Sequence, residues 1–392
     1  MQTLENIVPE WIRHQGKRFT SYFDPTRFRV DAFRENPNLD FLRSSAVLFV
    51  VGFHLLYLFE HRHSRFASRL RFFHSIGHWG VLIFFVHTSL VLMSSFERQQ
   101  LRFPGKPSYT PFLIRRVFRI YPLSIAIVLL VTFLKLPMAQ LADAKFMAAH
   151  VGWGGILSNL LLLQNLTHTD SVIIPLWSLP YEMQMYLLLP PLFLLVRSKR
   201  YFWSIPLLWA AAAFFGSHGG WLERNGIPDF IIYIPCFLSG IVAYKLTKTW
   251  SLQLPAFLWP PTLAALTLFY LKSPTYQHAW YSCLMLGLAI PQFQEMTNPI
   301  SRKTFQVIAR YSYGIYLVHF ICIWLAFQAI GGMPGWLSWE ILLITVSVFP
   351  YFLYHLLEKP MMRLGESAAG SLRGWLESQI SWGFPGEGAI DW

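Results

Sequence analysis

Residues 41–59 read FLRSSAVLFVVGFHLLYLF, a run in which Arg43 is the single formally charged residue. A helix needs about 20 predominantly apolar residues to cross the hydrocarbon core of a bilayer. The run is therefore predicted to be a membrane-spanning helix. Nine further apolar runs follow it, so the sequence predicts ten spans; the later runs are 79–96, 117–136, 173–196, 201–217, 229–246, 254–271, 278–294, 310–330 and 336–357.

The composition agrees with this fold class. Hydrophobic residues make up 54% of the 392 residues and charged residues 13%, whereas about a quarter of a typical soluble domain is charged. We predict an all-α polytopic membrane protein with about ten transmembrane helices in one bundle. The net charge of +12 does not predict a nucleic-acid partner, because such binding needs a basic face on a folded soluble domain.

The run at 151–169 decides how the later spans are oriented. It has no formal charge, but Asn159, Gln164 and Asn165 interrupt it. Cytoplasmic loops collect Lys and Arg. With ten spans, 24 of the 32 Lys and Arg lie on the cytoplasmic side. If 151–169 also spans the membrane, 15 lie on the cytoplasmic side and 17 on the outer side. The count favours ten spans with both termini cytoplasmic and makes 151–169 a re-entrant or surface segment.

Three regions are expected along the chain. Residues 1–40 lack the apolar core of a signal peptide and are predicted to be a cytoplasmic extension. Residues 41–364 form the membrane domain, and 365–392 form a C-terminal tail. This arrangement favours a multi-pass protein of the bacterial inner membrane, with the lipid bilayer as a partner.

The three cysteines do not predict a metal site. Cys236, Cys283 and Cys322 each lie in an apolar run without the spacing of metal ligands. We interpret them as core residues, and we expect neither a metal nor a permanently bound cofactor.

Two titratable residues lie within predicted spans, where such groups mark functional sites by default. By helix rise, His54 lies about 16 Å beyond Arg43, past the middle of the bilayer. Glu182 is the one formal charge early in the fourth span, and its predicted depth is similar. The alternatives are a packing histidine bonded to a neighbouring carbonyl and a structural glutamate that ties helices together.

A basic cluster opens the third span. Arg116 and Arg119 are three residues apart and share a helix face, and Arg43 lies at the same predicted level. The planar guanidinium fork suits phosphate, so the three residues are candidates for binding a polyanion. Topology and lipid head groups explain the same cluster equally well.

The ninth span adds a second intramembrane histidine. Tyr316 and His319 are three residues apart and are candidates to line the same cavity. Packing of an aromatic helix accounts for most of this segment, but His319 needs a partner in the middle of a span.

These segments together resemble the acyltransferase 3 family of polytopic membrane enzymes, over about residues 39–364. The late segment Glu358-Lys359-Pro360 also looks like the family's Glu-x-Pro. Five ordered signals carry the resemblance: Arg43 with His54; Gly80-Val81-Leu82-Ile83-Phe84-Phe85; Arg116 with Arg119; Trp177-Ser178-Leu179 with Glu182; and Tyr313 to His319. One departure is His87-Thr88-Ser89-Leu90, where the family usually continues with Ser-Gly-Phe.

The resemblance implies transfer of an acyl group, often acetyl, from acyl-CoA to a hydroxyl of a sugar, glycan or other extracytoplasmic acceptor. Acyl-CoA is then a co-substrate whose phosphates meet Arg43, Arg116 and Arg119. His54 is expected to be the general base, and Glu182 either orients its imidazole or binds the acceptor. Trp177, Ser178, Tyr316 and His319 are expected to line the cavity.

Two other functions suit part of the pattern. Ten spans with an intramembrane His and Glu also fit a proton-coupled transporter or flippase, although the sequence has no internal duplication of the kind common in transporters. A catalytically inactive scaffold is compatible with the departure at Thr88 and Ser89. An acyl-His intermediate also remains an alternative to direct transfer.

Overall fold

The computed structural model of the protein describes residues 36–62, 71–103, 109–142, 145–148, 151–197, 204–218, 229–249, 252–329 and 333–382. Residues 1–35 of the predicted extension and 383–392 of the predicted tail lie outside them.

Helices dominate the described chain, as the apolar runs predict. Each of the ten runs contains a helix, and two π-helical turns, Leu325–Ala329 and Tyr354–Glu358, continue the helices that end at Trp324 and Leu353. In chain order the helices are α1 (Pro37–Arg62), α2 (Ile76–Arg102), α3 (Tyr109–Phe133), α4 (Trp153–Leu161), α5 (Gln164–Thr167), α6 (Leu179–Arg197), α7 (Ser204–Ser217), α8 (Phe230–Thr249), α9 (Trp259–Lys272), α10 (Tyr276–Ala289), α11 (Pro299–Trp324), α12 (Gly335–Leu353) and α13 (Lys359–Trp382).

The centre of the bundle is a close packing of α1, α2, α8 and α11. Helix α1 packs on α2 and α11, and α2 also packs on α8. A Cβ atom added at Gly240 of α8 would come within 2.1 Å of the carbonyl oxygen of Val86 on α2. One added at Gly80 of α2 would come within 2.5 Å of the carbonyl oxygen of Ala46 on α1. Small residues at such crossings let membrane helices approach closely, and this brings the polar residues of α1, α2 and α11 around one interior.

Asn298 determines where α11 begins. Its side chain accepts hydrogen bonds from the backbone N–H groups of Ile300 and Ser301, at 3.0 and 3.1 Å, and Pro299 occupies the first helical position. Both features are favourable at a helix N-terminus. The helix then runs without interruption to Trp324 and carries Tyr316 and His319 into the bundle.

Fewer helices are long enough to span a membrane than the sequence predicts. Seven helical segments are long and apolar enough to cross a membrane among the described residues. Helices α7, α9 and α10 have 14 residues each, which is about 21 Å of helix against a hydrocarbon core of about 30 Å. The apolar runs overestimated α9 and α10 because residues 256–258 and 290–292 form short 3-10 turns beside them and Leu254 pairs with Phe293 in a β-bridge. An all-α polytopic membrane fold agrees with these helices, while ten spans and two cytoplasmic termini remain predictions.

Residues 151–169 form a compact non-spanning segment. Helix α4 has nine residues, and the left-handed residue Leu162 separates it from the four-residue α5, so neither helix is long enough to cross the membrane. The carboxamides of Asn165 and Gln184 exchange two hydrogen bonds, at 3.1 and 3.0 Å, which tie the segment to α6.

The described residues also contain a small antiparallel strand pair. Strand β1 (Gln140–Ala142) pairs with β2 (Lys145–Met147), and Leu141 lies opposite Phe146.

Helix α13 packs along α3 and crosses the predicted boundary at residue 364 without a break. A Cβ atom at its Gly365 would come within 2.6 Å of the Cβ of Phe118 on α3, so this glycine allows the two helices to approach closely. The chain after α12 is thus partly structured, and the division at residue 364 remains a prediction.

Candidate active site

Two cavities meet at one end of the bundle, which we call the arginine end. The first, the arginine pocket, has a volume of about 280 Å³. It is lined by Arg43, Arg115, Arg116, Arg119, Ala309, Arg310, Tyr354, Met362 and Glu366. Five guanidinium groups and one carboxylate in such a pocket form a site for an anion with several charges.

The second, the inner cavity, continues into the bundle and has a volume of about 110 Å³. Three residues line both cavities and so form the boundary between them, which we call the arginine boundary: Arg43, Arg116 and Arg119. The other polar residues of its wall are His87, Thr88, Ser178, Glu182, Tyr186, Ser312, Tyr313 and Tyr316. The three arginines grouped by the sequence analysis therefore lie together, as expected.

Arg43 is held in place by α11. Its Nε donates a hydrogen bond of 2.6 Å to the Oγ of Ser312, which donates one of 2.8 Å to the carbonyl oxygen of Ala309. This contact fixes the base of the guanidinium at the boundary of the two cavities.

Arg116 has less support than Arg43. Its guanidinium carbon lies 5.8 Å from the centre of the Phe112 ring, a distance that allows a cation–π contact. Its Nε is buried without a hydrogen-bond partner among the described residues. A buried donor without a partner is unfavourable, so Arg116 is suited to receive an anionic ligand.

Arg119 is already paired within the protein. Its Nη1 lies 2.9 Å from the Oε2 of Glu358, whose side chain is completely buried, while the Arg119 side chain is 15% exposed. The same nitrogen contacts the Sδ of Met362 at 2.9 Å. Arg119 is therefore partly neutralised by Glu358, which the sequence analysis noted as part of a motif without giving it a role.

Glu182 lies among the arginines. It accepts a hydrogen bond from the hydroxyl of Tyr186, one turn later on α6, and both residues line the inner cavity. This position makes Glu182 a counter-charge for the arginine boundary.

His54 lies beyond the inner cavity, towards the opposite end of the bundle. Its Nδ1 is 3.0 Å from the carbonyl oxygen of Val50 and 3.2 Å from the Nε2 of His319. His54 is 7% exposed and His319 is completely buried. Neither histidine is among the residues that line the two cavities.

A contact between Ser178 and Tyr316 separates His54 from Glu182. Their hydroxyl groups are 2.7 Å apart. Glu182 follows Ser178 towards the arginine end, whereas His319 follows Tyr316 away from it. Glu182 is four residues from Ser178 and His319 is three residues from Tyr316. At a rise of about 1.5 Å per residue, Glu182 and His319 are therefore about 10 Å apart along the bundle. The expectation that His54 and Glu182 share a layer is therefore not met, because hydropathy cannot fix the relative heights of two helices.

Trp177 belongs to an aromatic cluster at the opposite end of the bundle. Its ring stacks on that of His78 at 6.0 Å, and the Nδ1 of His78 is 2.7 Å from the hydroxyl of Tyr270. Of the four residues expected to line the cavity, Ser178 and Tyr316 line the inner cavity, whereas Trp177 and His319 lie outside both cavities.

Several lining residues were not predicted from the sequence. Arg115 precedes Arg116 at the start of the third predicted span, and Arg310 opens the ninth. Glu366 lies in the predicted tail. His87 was noted only as a departure from the family pattern, yet it lines the inner cavity. The signal for Arg115 and Arg310 was a charged residue at the start of a predicted span, and for His87 it was a titratable residue within one.

No group of three or more His, Cys, Asp or Glu side chains that could hold a metal ion occurs within the described ranges. The expectation that the protein needs no metal remains a prediction.

The chain is similar to known acyltransferases. The family model described as an acyltransferase domain, of the acyltransferase 3 type, matches residues 36–355. The chain is 26% identical over 368 residues to acyltransferase MdmB from Streptomyces mycarofaciens, a match that covers 84% of this chain and 92% of that protein. No solved structure is significantly similar to the chain.

Proposed function

Because the chain belongs to the acyltransferase 3 family, we propose that it transfers an acyl group, with acetyl as the first candidate, from acyl-CoA to a hydroxyl group. The acceptor in this proposal is a sugar, a glycan or another molecule on the extracytoplasmic side. The acyl-CoA is a co-substrate, and no permanently bound cofactor takes part.

The observation that carries the proposal is the arginine boundary between the two cavities. CoA combines several phosphate charges at one end with a thioester at the other, so its site needs a cationic mouth followed by a narrow passage. In this proposal the arginine pocket binds the phosphates, and the inner cavity takes the arm that carries the thioester. Arginine suits the phosphates because its planar fork donates two parallel hydrogen bonds.

The arginine end is cytoplasmic in this proposal, because the donor is a cytoplasmic metabolite and the positive-inside rule agrees. The membrane is then a bacterial inner membrane. The pantetheine arm enters the inner cavity past Arg43 and Arg116 and extends towards Ser178 and Tyr316. The acceptor approaches from the opposite end and meets the thioester near His54.

His54 is the general base of the proposed reaction. The acceptor oxygen attacks the thioester carbonyl carbon as its proton passes to His54. The C–S bond then breaks, the CoA sulfur leaves with the electron pair, and it receives the proton from His54. The products are an ester and free CoA, and His54 returns to its neutral state.

Glu182 has a binding role in this scheme. Glu182 lies next to Tyr186 and lines the inner cavity with the three arginines. We therefore favour a role in balancing the charge of this cavity over a role in orienting the His54 imidazole. Direct contact with the acceptor remains the other role open to it.

The test is release of free CoA. Purified protein in detergent is given acetyl-CoA with a radiolabelled acetyl group and a set of hydroxyl acceptors that includes simple sugars and oligosaccharides. We expect CoA to be released in step with transfer of label to an acceptor. A protein that binds or moves acetyl-CoA without cleaving it would instead support the transporter alternative.

Two variants sharpen this test. His54→Ala should abolish transfer while acetyl-CoA still stabilises the protein against heat, because the arginine pocket is intact. His218→Ala changes an exposed histidine in the turn after α7 and serves as the matched control. Transfer at the unaltered rate in His54→Ala would refute His54 as the base.

A further inference from the structure

The two intramembrane histidines form a hydrogen-bonded pair between α1 and α11. The Nδ1 of His319 lies 2.7 Å from the carbonyl oxygen of Tyr316 and 3.2 Å from that of Ile315. Its Nε2 faces the Nδ1 of His54 at 3.2 Å, and the ring centres are 5.0 Å apart. His319 thus has the partner that a histidine in the middle of a span requires.

These partners fix the tautomer of each neutral ring. A carbonyl oxygen can only accept a hydrogen bond, so the Nδ1 of His319 and the Nδ1 of His54 must each carry the hydrogen. A neutral imidazole has one N–H group, so both Nε2 atoms hold a lone pair. The assignment follows from the hydrogen-bond partners, which is how tautomers are inferred when hydrogens are not observed.

We propose that His319 is a positioning residue that holds His54 in the tautomer with a free lone pair at Nε2. The Nδ1–H of His54 is shared between the carbonyl oxygen of Val50 and the Nε2 of His319. The inference rests on the proposed function, in which His54 accepts the proton of the acceptor hydroxyl. His319 is completely buried and acts through His54 without contacting the substrate.

The pair also matters once the proton has moved. When the Nε2 of His54 takes the proton of the attacking hydroxyl, the ring becomes a cation with hydrogens on both nitrogens. Its Nδ1–H then donates a charge-assisted hydrogen bond to His319, and such bonds are stronger than neutral ones. His319 therefore stabilises the state that exists between attack and departure of the CoA sulfur.

Helix α11 connects this pair to the inner cavity. The backbone carbonyl of Tyr316 accepts from His319, and the Tyr316 hydroxyl contacts Ser178 in the cavity wall. One turn of helix therefore links the orientation of the imidazoles to the wall along which the thioester arrives.

The first measurement is the tautomer of His54 in the unaltered protein. Nitrogen-15 labelled histidine is incorporated, the protein is placed in lipid vesicles, and solid-state NMR separates protonated from unprotonated ring nitrogens. Loss of a signal pair in His54→Gln assigns the His54 signals. We expect a protonated Nδ1 and an unprotonated Nε2. A protonated Nε2 in the neutral ring would overturn the inference.

The second measurement compares two replacements of His319. His319→Gln keeps one donor for the Tyr316 carbonyl and one acceptor for His54, whereas His319→Leu keeps neither. The assay follows free CoA released from acetyl-CoA with water as the acceptor. We expect His319→Leu to lower kcat roughly 100-fold, in the range of general-base effects, with KM for acetyl-CoA unchanged. His319→Gln should recover most of the loss.

Equal losses in the Leu and Gln variants, or a change in KM alone, would contradict the inference. His218→Leu is the matched control for an exposed histidine. Failure of the proposed function gives a different result: the unaltered protein releases no CoA, or His54→Gln releases it at the unaltered rate. The NMR spectrum of the unaltered protein tests the tautomer in either case, and that measurement does not depend on whether a His319 variant folds.

Discussion

Arg119 and Glu358 form an ion pair of 2.9 Å between α3 and the π-helical turn that precedes α13. The carboxylate side chain is completely buried, and its Oε1 has no hydrogen-bond partner within the described chain. Removing one partner of a buried pair leaves an uncompensated charge, which is more costly than the pair is favourable. Arg119 therefore has a structural role besides its place at the cavity boundary.

The first prediction concerns this pair. Arg119→Ala should destabilise the protein by about 3 kcal/mol or more, in the range measured for broken buried pairs. Thermal unfolding of the purified protein in detergent gives the comparison. Arg119→Met combined with Glu358→Leu should recover part of the loss, because no buried charge remains. A destabilisation no larger in Arg119→Ala than in Arg116→Ala would contradict the structural role.

The second prediction concerns Arg116, which is the cleaner probe of the donor site. Arg116→Ala should weaken acetyl-CoA binding by roughly 10- to 100-fold, because charge-assisted hydrogen bonds are worth about 1.5–3 kcal/mol. The readout is the acetyl-CoA concentration that raises the melting temperature, since a ligand of the folded state stabilises it. Arg302→Ala, at an exposed position on α11, is the control. Equal affinity in the two variants would remove Arg116 from the donor site.

The third prediction concerns Glu366 of α13, the carboxylate of the arginine pocket. Glu366→Gln removes a charge that repels the CoA phosphates, so acetyl-CoA should bind about two- to five-fold more tightly, as expected for a partly exposed charge. The gain should shrink at high salt. Glu340→Gln, an exposed glutamate on α12, should change nothing. Weaker binding in Glu366→Gln would instead give Glu366 a direct contact with the donor.

The fourth prediction concerns helix packing. Gly240→Ala should destabilise the protein by about 1–3 kcal/mol, the usual cost of overpacking, because the new methyl group meets the Val86 carbonyl. Gly370→Ala on α13 has no atom within 4 Å of the new methyl group and should stabilise the helix by up to about 1 kcal/mol. The melting temperatures of the two variants should shift in opposite directions from that of the unaltered protein. Shifts of the same sign would mean that α2 and α8 are not in close contact at Gly240.

Much of the site could be predicted from the sequence. Arg43, Arg116 and Arg119 were grouped because Arg116 and Arg119 share a helix face and Arg43 lies at the same predicted level, and the structure brings them to one boundary. Ser178 and Tyr316 were named as cavity residues and contact each other. Glu358 and Glu366 were not given roles, because a carboxylate after the last apolar run resembles any charged residue of a tail.

The sequence by itself determined that each of the ten apolar runs contains a helix and which residues are available for chemistry, because apolar runs and rare intramembrane charges are local properties of the chain. The tertiary structure decided the pairings of Arg119 with Glu358 and of His54 with His319, and it placed Glu182 in one cavity wall with Arg43, Arg116 and Arg119. Those pairings depend on the relative heights and rotations of helices that are far apart in sequence. Packing at contacts such as Gly80 with Ala46 and Gly240 with Val86 sets them, and hydropathy does not encode these distances.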